Sequence, residues 1–370
     1  LYGPIEGIGK GDTVTVMRHG VGTRISEALV GRVIDGLGRP MDGLPEVEGE
    51  ALNVIAPAPV PLARMRIKQP MPTGVRLIDT FCTTGKGQRI GIFGGSGVGK
   101  STLLGMMARG TGADIAVLAL IGERGREVRE FIEDELGPEG MRRSIIVVAT
   151  SDEPPLMRLR AAMLATRIAE WFADRSADVL LMMDSLTRLA MAQREVGLAA
   201  GEPPTARGYT PSVFSLMARL LERAGPRQNG TITGFYTVLV EGDDMNDPIA
   251  DTARSILDGH LILDRRIAVS GRYPAIDPLA SLSRLAPKLI APERIALVEA
   301  ARDALAAAEE VRELVEVGAY VAGTNPAADR GMVALPHLTY FMKQGAGSLS
   351  GFADAWDSLE ALRPVIQGAA

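Results

Sequence analysis

Hydrophobic positions along the chain change their period twice. Residues 1–55 carry short alternating stretches cut by glycine. DTVTVM at 12–17 predicts a strand, and GRVIDGLGRPMDG at 31–43 alternates strand residues with Asp-Gly and Leu-Gly turns. This is too little for a closed barrel but would serve as the last strands of one. APAPVPLAR at 56–64 then predicts an extended linker, because each proline fixes φ and removes a donor. From about 73 to 290 near-continuous apolar runs alternate with amphipathic helical stretches. QRIGIF (88–93), DIAVLAL (114–120), SIIVVAT (144–150), DVLLMMD (178–184) and TITGFYTVLV (231–240) predict buried strands. PPLMRLRAAMLATRIAEWFADR at 154–175 predicts a long helix between two of them. Such runs imply an α/β fold, a parallel sheet flanked by helices on both faces. After about residue 292 the strand signals stop. ERIALVEAARDALAAAEEVRELVEVG at 293–318 opens an alanine-rich helical region with at least two further helices.

Composition narrows the class. A length of 370 residues suits two or three domains, and 46% hydrophobic residues exclude a disordered chain. Apolar runs such as VLLMM at 179–183 fall far short of the ~20 residues a membrane-spanning helix needs. A net charge of −5 argues against a protein held to nucleic acid by bulk charge. The single cysteine, Cys82, excludes an internal disulfide and suits a reducing cytoplasm. His19, His260 and His337 are scattered without zinc-ligand spacing. The chain opens LYGPIEGIGKGDTVTV, with neither an initiator methionine nor a charged-then-apolar leader, and reads as one whose start has been removed.

Candidate chemistry concentrates in GGSGVGKST at 94–102, which fits G-x-x-x-x-G-K-[ST] between a predicted strand and a predicted helix. Gly94, Gly95, Ser96, Gly97, Val98 and Gly99 would wrap backbone N–H groups around an anion at the helix N-terminus. Lys100 would reach the β and γ phosphates, Ser101 would ligate Mg²⁺, and Thr102 closes the loop. Two carboxylates lie at ends of other predicted strands. Asp184 ends DVLLMMD, where an acid supports Mg²⁺ through water, although a helix N-cap is the alternative. Glu123 follows DIAVLALIG in the cluster Glu123-Arg124-Gly125-Arg126-Glu127. It reads equally as a residue that polarises the attacking water or as the solvated start of a helix.

Together these residues resemble the hexameric ATPases that include the catalytic subunits of rotary ATP synthases, and most of all the ATPases of flagellar and virulence-type (type III) protein secretion. TGVRLIDT (73–80), GQRIGIFGGSGVGKSTLL (87–104), IGERGREVREF (121–131), VATSDEPPLMR (148–158), LLMMDSLTRLAMAQREVGLAAGEPP (180–204), GYTPSVFS (208–215), EGDDMNDPIADTARSILDGH (241–260) and YPAIDPLASLSR (273–284) follow the family pattern in order. VATSDEP and LAMAQREVG favour the flagellar export ATPase over the virulence type.

The resemblance implies a RecA-like core over 56–292, a barrel remnant at 1–55 and a C-terminal helical domain at 293–370. It implies that Glu123 activates the hydrolytic water and that Arg124 and Arg188 contact the γ-phosphate. Glu127 would support the Mg²⁺ water, Tyr273 would stack on adenine, and Arg284 would serve as an arginine finger for the next subunit. The implied ligands are ATP and Mg²⁺. The implied partners are five further copies in a homo-hexamer, a stalk-like negative regulator, a stalk subunit, export chaperone–substrate complexes and an export gate. The implied location is cytoplasmic, peripheral to the inner face of the bacterial membrane. The family pattern begins with a fuller barrel, so the resemblance also implies a weakened hexamer and regulator contact for this chain.

A rotary synthase subunit is disfavoured, because VGAYVAGTNPAADRGMVALPHLTYFMKQ at 317–344 lacks an acidic run and GLAAGEPP occupies 197–204. A ring-shaped RNA motor would need stacking aromatics in its first 60 residues, which hold only Tyr2. A merely structural nucleotide-binding subunit sits poorly with Lys100 and Glu123 both present.

Overall fold

The computed structural model describes residues 22–240 and 244–368, together with 2, 9–13, 15 and 242. Three of the six residues of the strand expected at 12–17, and His19, lie outside them.

The five apolar runs become strands of one large sheet, which also takes in three segments not expected there. In chain order its strands are β1 (Val33–Asp35), β2 (Arg89–Gly94), β3 (Ile115–Ile121), β4 (Ser144–Ala149), β5 (Asp178–Asp184), β6 (Thr231–Leu239), β7 (Gly259–Leu263) and β8 (Ile276–Ser283). Their spatial order is β8-β7-β2-β6-β5-β3-β4-β1, with the short strand Gly225–Pro226 added beside β6. Every pairing from β7 to β1 is parallel, and β8 closes the edge antiparallel. Alternation within the runs divides the core. Val117, Ala119 and Ile121 pack on one face, while Ala116, Leu118 and Leu120 pack on the other. Burial on both faces explains why β3 reads as an unbroken apolar run.

The N-terminal stretch departs from expectation at one point. Val33–Asp35, in the segment expected to contribute barrel strands, pairs in parallel with β4 and becomes the far edge of the large sheet. Ile34 is buried there, and the Asp35 carboxylate accepts from the Leu37 and Arg39 N–H groups at 2.8 and 2.9 Å to form the following turn. A three-residue strand carries too short a pattern to reveal its partner. Thr23–Ile25 and Glu50–Leu52 form a separate antiparallel pair.

Helices cover both faces: α1 (Lys100–Gly110), α2 (Gly125–Glu130), α3 (Pro155–Ala173) and α4 (Leu186–Ala199). Beyond β8 the chain is helical, with α5 (Pro292–Glu310), α6 (Pro326–Met342) and α7 (Phe352–Glu360). Gly331 lets α6 approach α5 closely, since a Cβ there would lie 2.4 Å from the Ala304 carbonyl oxygen. Among the described residues no helix is long and apolar enough to cross a membrane.

Candidate nucleotide-binding site

Parallel strands bring their carboxyl ends to one rim of the sheet, where open α/β sheets hold ligands. β2 delivers the loop 94–99, β3 delivers Glu123 two residues beyond its end, and β5 delivers Asp184. β6, from later in the chain, lies between β2 and β5. Gly97 and Gly99 have φ of +78° and +89°, which only glycine adopts readily, and this turns the loop tightly enough to start α1. No side chain caps that helix, so its first N–H groups are left for another acceptor.

Lys100 is buried beneath the loop. Its Nζ donates to the Gly94 carbonyl at 3.2 Å and also to the Gly95 carbonyl. Burial lowers its pKa, against the opposing fields of Asp184 and Glu123. Ser101 is exposed at the helix start. Asp184 is buried, and its Oδ1 accepts from the Thr237 hydroxyl on β6. Burial raises its pKa, while Thr237, Lys100 and Arg188 pull it down. The N-cap alternative for Asp184 does not hold: Ser185 caps α4, its Oγ accepting from the Arg188 N–H at 3.3 Å.

Glu123 faces this cluster rather than solvent. Its Oε1 lies 3.0 Å from Arg188 Nε, and the Arg188 stem packs against Gly122, where a Cβ would come within 2.8 Å of Arg188 Cδ. Burial first, and then the Asp184 carboxylate, raise Glu123 above the usual carboxylate range against the pull of Arg188. Glu127 is held low although partial burial opposes this, because it accepts a hydrogen bond from Glu123 and lies near Arg124 and Arg188. Lys100, Asp184, Glu123, Arg188 and Glu127 therefore form one electrostatic unit. Arg124 touches only its outer member, Glu127. Its side chain is exposed and ion-paired with Glu127 at 3.3 Å.

A cavity of about 420 Å³ opens beside the loop, lined by Gly99, Thr102, Leu103, Met106 and the Tyr273 ring among others. Tyr273 is 45% exposed and is no core residue. Its ring lies 3.5 Å from where a Cβ on Gly99 would stand. The far wall is Lys343-Gln344-Gly345-Ala346, just after α6. Gln344 N–H donates to the Tyr273 carbonyl at 2.8 Å, which ties that wall to the aromatic ring. The Thr102 hydroxyl donates to Glu135 at 2.6 Å.

Arg284 lies elsewhere. Its N–H donates to the Asp258 carbonyl at the amino end of β7, and its exposed guanidinium donates to the Arg254 carbonyl at 3.3 Å. Asp258 also meets Arg89, the first residue of β2, while the loop 94–99 begins at the last. At ~3.3 Å per residue those ends are about 17 Å apart, so Arg284 stands across the sheet from its own Lys100.

The sequence reading missed Thr237, Glu135 and the Lys343–Ala346 wall. Thr237 becomes a neighbour of Asp184 only through the strand order, and the wall only through the return of α6.

The ATP synthase alpha/beta family, nucleotide-binding domain, matches residues 74–283, and the T3SS EscN ATPase C-terminal domain matches residues 290–361. The flagellum-specific ATP synthase of Bacillus subtilis (strain 168) is 52% identical over 340 residues, covering 91% of this chain and 77% of that protein. The assembled ATPase EscN from the enteropathogenic E. coli type III secretion system superposes with a TM-score of 0.93 at 45% identity, over 98% of this chain and 88% of that one. EscN in complex with its central stalk EscO gives 0.86 at 45% identity, over 92% and 83% respectively.

Proposed function

This chain belongs to the ATP synthase alpha/beta family, and from that premise we propose that it hydrolyses ATP to energise type III protein export, in a flagellar apparatus in preference to a virulence one. The observation that carries the reading is the convergence of Lys100, Asp184 and the Glu123–Arg188 pair at the rim where the loop 94–99 presents its N–H groups.

In this reading Lys100 exchanges the Gly94 and Gly95 carbonyls for β- and γ-phosphate oxygens. Glu123 orients the attacking water and takes up its proton, and Arg188, already against Glu123, meets charge developing on the γ-phosphate. Arg124 would have to leave Glu127 to reach the same phosphate. Tyr273 supplies an exposed face for adenine, supported by its place beside Gly99. The donor set suits Mg²⁺, a hard cation that favours oxygen: the exposed Ser101 hydroxyl, with the Asp184 and Glu127 carboxylates holding its waters. When bound, the ion neutralises phosphate charge.

The proposed assembly is a homo-hexamer in which Arg284 serves the neighbour's site, a reading supported by its distance from the Lys100 of its own chain. A stalk in the ring and export chaperone complexes at the membrane gate complete the proposal; EscN has been solved with its central stalk. Glu123→Gln tests the chemistry. It keeps the shape and loses the charge, so ATP should bind and persist while phosphate release falls about 10²–10⁴-fold. Hydrolysis at the parent rate would overturn it.

A further inference from the structure

Thr102 is the third residue of α1 and part of the cavity wall beside Gly99 and Tyr273. Its backbone N–H belongs to the uncapped first turn that faces an anion. Its side chain is turned the other way. The hydroxyl donates at 2.6 Å to Oε1 of Glu135, a half-buried residue of the π-helical turn Phe131–Leu136. The two elements are in intimate contact, since a Cβ on Gly105 would lie 2.8 Å from the Glu135 carbonyl oxygen and 2.9 Å from its Cβ. Among the described residues no ion pair engages Glu135, and its carboxylate accepts from Thr102.

A threonine hydroxyl has one hydrogen to donate. A carboxylate at 2.6 Å accepts it in a short, charge-assisted bond, and a phosphate oxygen can take it only by displacing that carboxylate. The carboxylate also sets a negative charge one side chain away from where a polyanion is bound. π-Helical turns within helices concentrate at functional sites, and this one sets Glu135 against Thr102 in the first turn of α1.

We propose that Glu135 is a positioning residue that withholds the Thr102 hydroxyl from the phosphates and so keeps nucleotide weakly held. The inference rests on the ATPase reading of the loop.

Calorimetric titration of the whole chain with MgADP tests it. Glu135→Ala keeps the Cβ that packs on Gly105, frees the hydroxyl and removes the charge. It should bind MgADP about tenfold more tightly than the parent. Glu135→Gln, which keeps an acceptor without the charge, should fall between the two. The gain from Glu135→Ala should shrink when Thr102→Val is added, and should survive with Thr102→Ser, which restores the hydroxyl; a merely structural role for Glu135 would not make this distinction. A parent that binds no MgADP removes the nucleotide reading and this inference together. If the parent binds but neither Glu135 variant binds more tightly, or the gain is undiminished by Thr102→Val, the inference alone is overturned.

Discussion

Glu123 and Glu127 share a hydrogen bond at the edge of the phosphate site, and the proton they share is drawn to the more buried carboxylate. Glu123 is protonated below its raised pKa and cannot then accept a proton from water, so turnover should climb as pH rises through that value. Glu127 is one of the groups that raise it. In Glu127→Gln the acidic limb of the pH–rate profile should therefore move to lower pH, even if the plateau falls. A limb that stays in place would show that Glu123 does not set it. The glycine-rich loop and the helix it opens were legible in the sequence because their residues are contiguous from Gly94 to Thr102. Glu123 was only half legible, since its surroundings of alternating charge also describe a solvated helix start; its pairing with Arg188 at 3.0 Å, which supports the catalytic reading, joins residues far apart in sequence. Thr237 and Glu135 were not legible, because each acts through a hydrogen bond between residues 53 and 33 positions apart.

At the scale of elements, β2 to β6 were readable as apolar runs, but β7 and β8, whose residues alternate in burial, were not, and neither was the strand order. No local pattern tells that β6 inserts between β2 and β5, or that Val33–Asp35 joins the edge beside β4. The return of the C-terminal helices to the site was equally hidden, and beside the shared apolar core one buried side chain helps to hold it. Buried Gln344 donates through Nε2 to the Gly74 and Ser348 carbonyls at 2.8 and 2.6 Å, and its Oε1 accepts from the Arg76 N–H at 2.9 Å. Gln344→Ala strands these backbone groups and should cost about 2–4 kcal/mol, read by denaturant unfolding. Because the Gln344 backbone also holds Tyr273, nucleotide affinity should fall with it. Unchanged stability would mean that the strap between the helices and the core is redundant.

At the scale of the whole molecule, one chain presents a nucleotide site on one rim of its sheet and Arg284 across from it. This polarity suits a ring in which each site is completed by the neighbour. Arg284→Ala should bind ATP as the parent does but gain little activity on assembly, given the ~10³–10⁵-fold effect of arginine fingers in related systems. Mixed with Lys100→Ala, it should recover activity, because a mixed interface pairs an intact Lys100 loop with an intact Arg284. Mixed rings as inactive as both parents would count against action in trans. Phosphate release from MgATP by the parent and by Lys100→Ala is the most direct measurement of all. Lys100 is the buried cation of the loop, so its loss should abolish turnover while circular dichroism shows the fold retained. Phosphate release by Lys100→Ala at the parent rate would contradict ATP hydrolysis at this site.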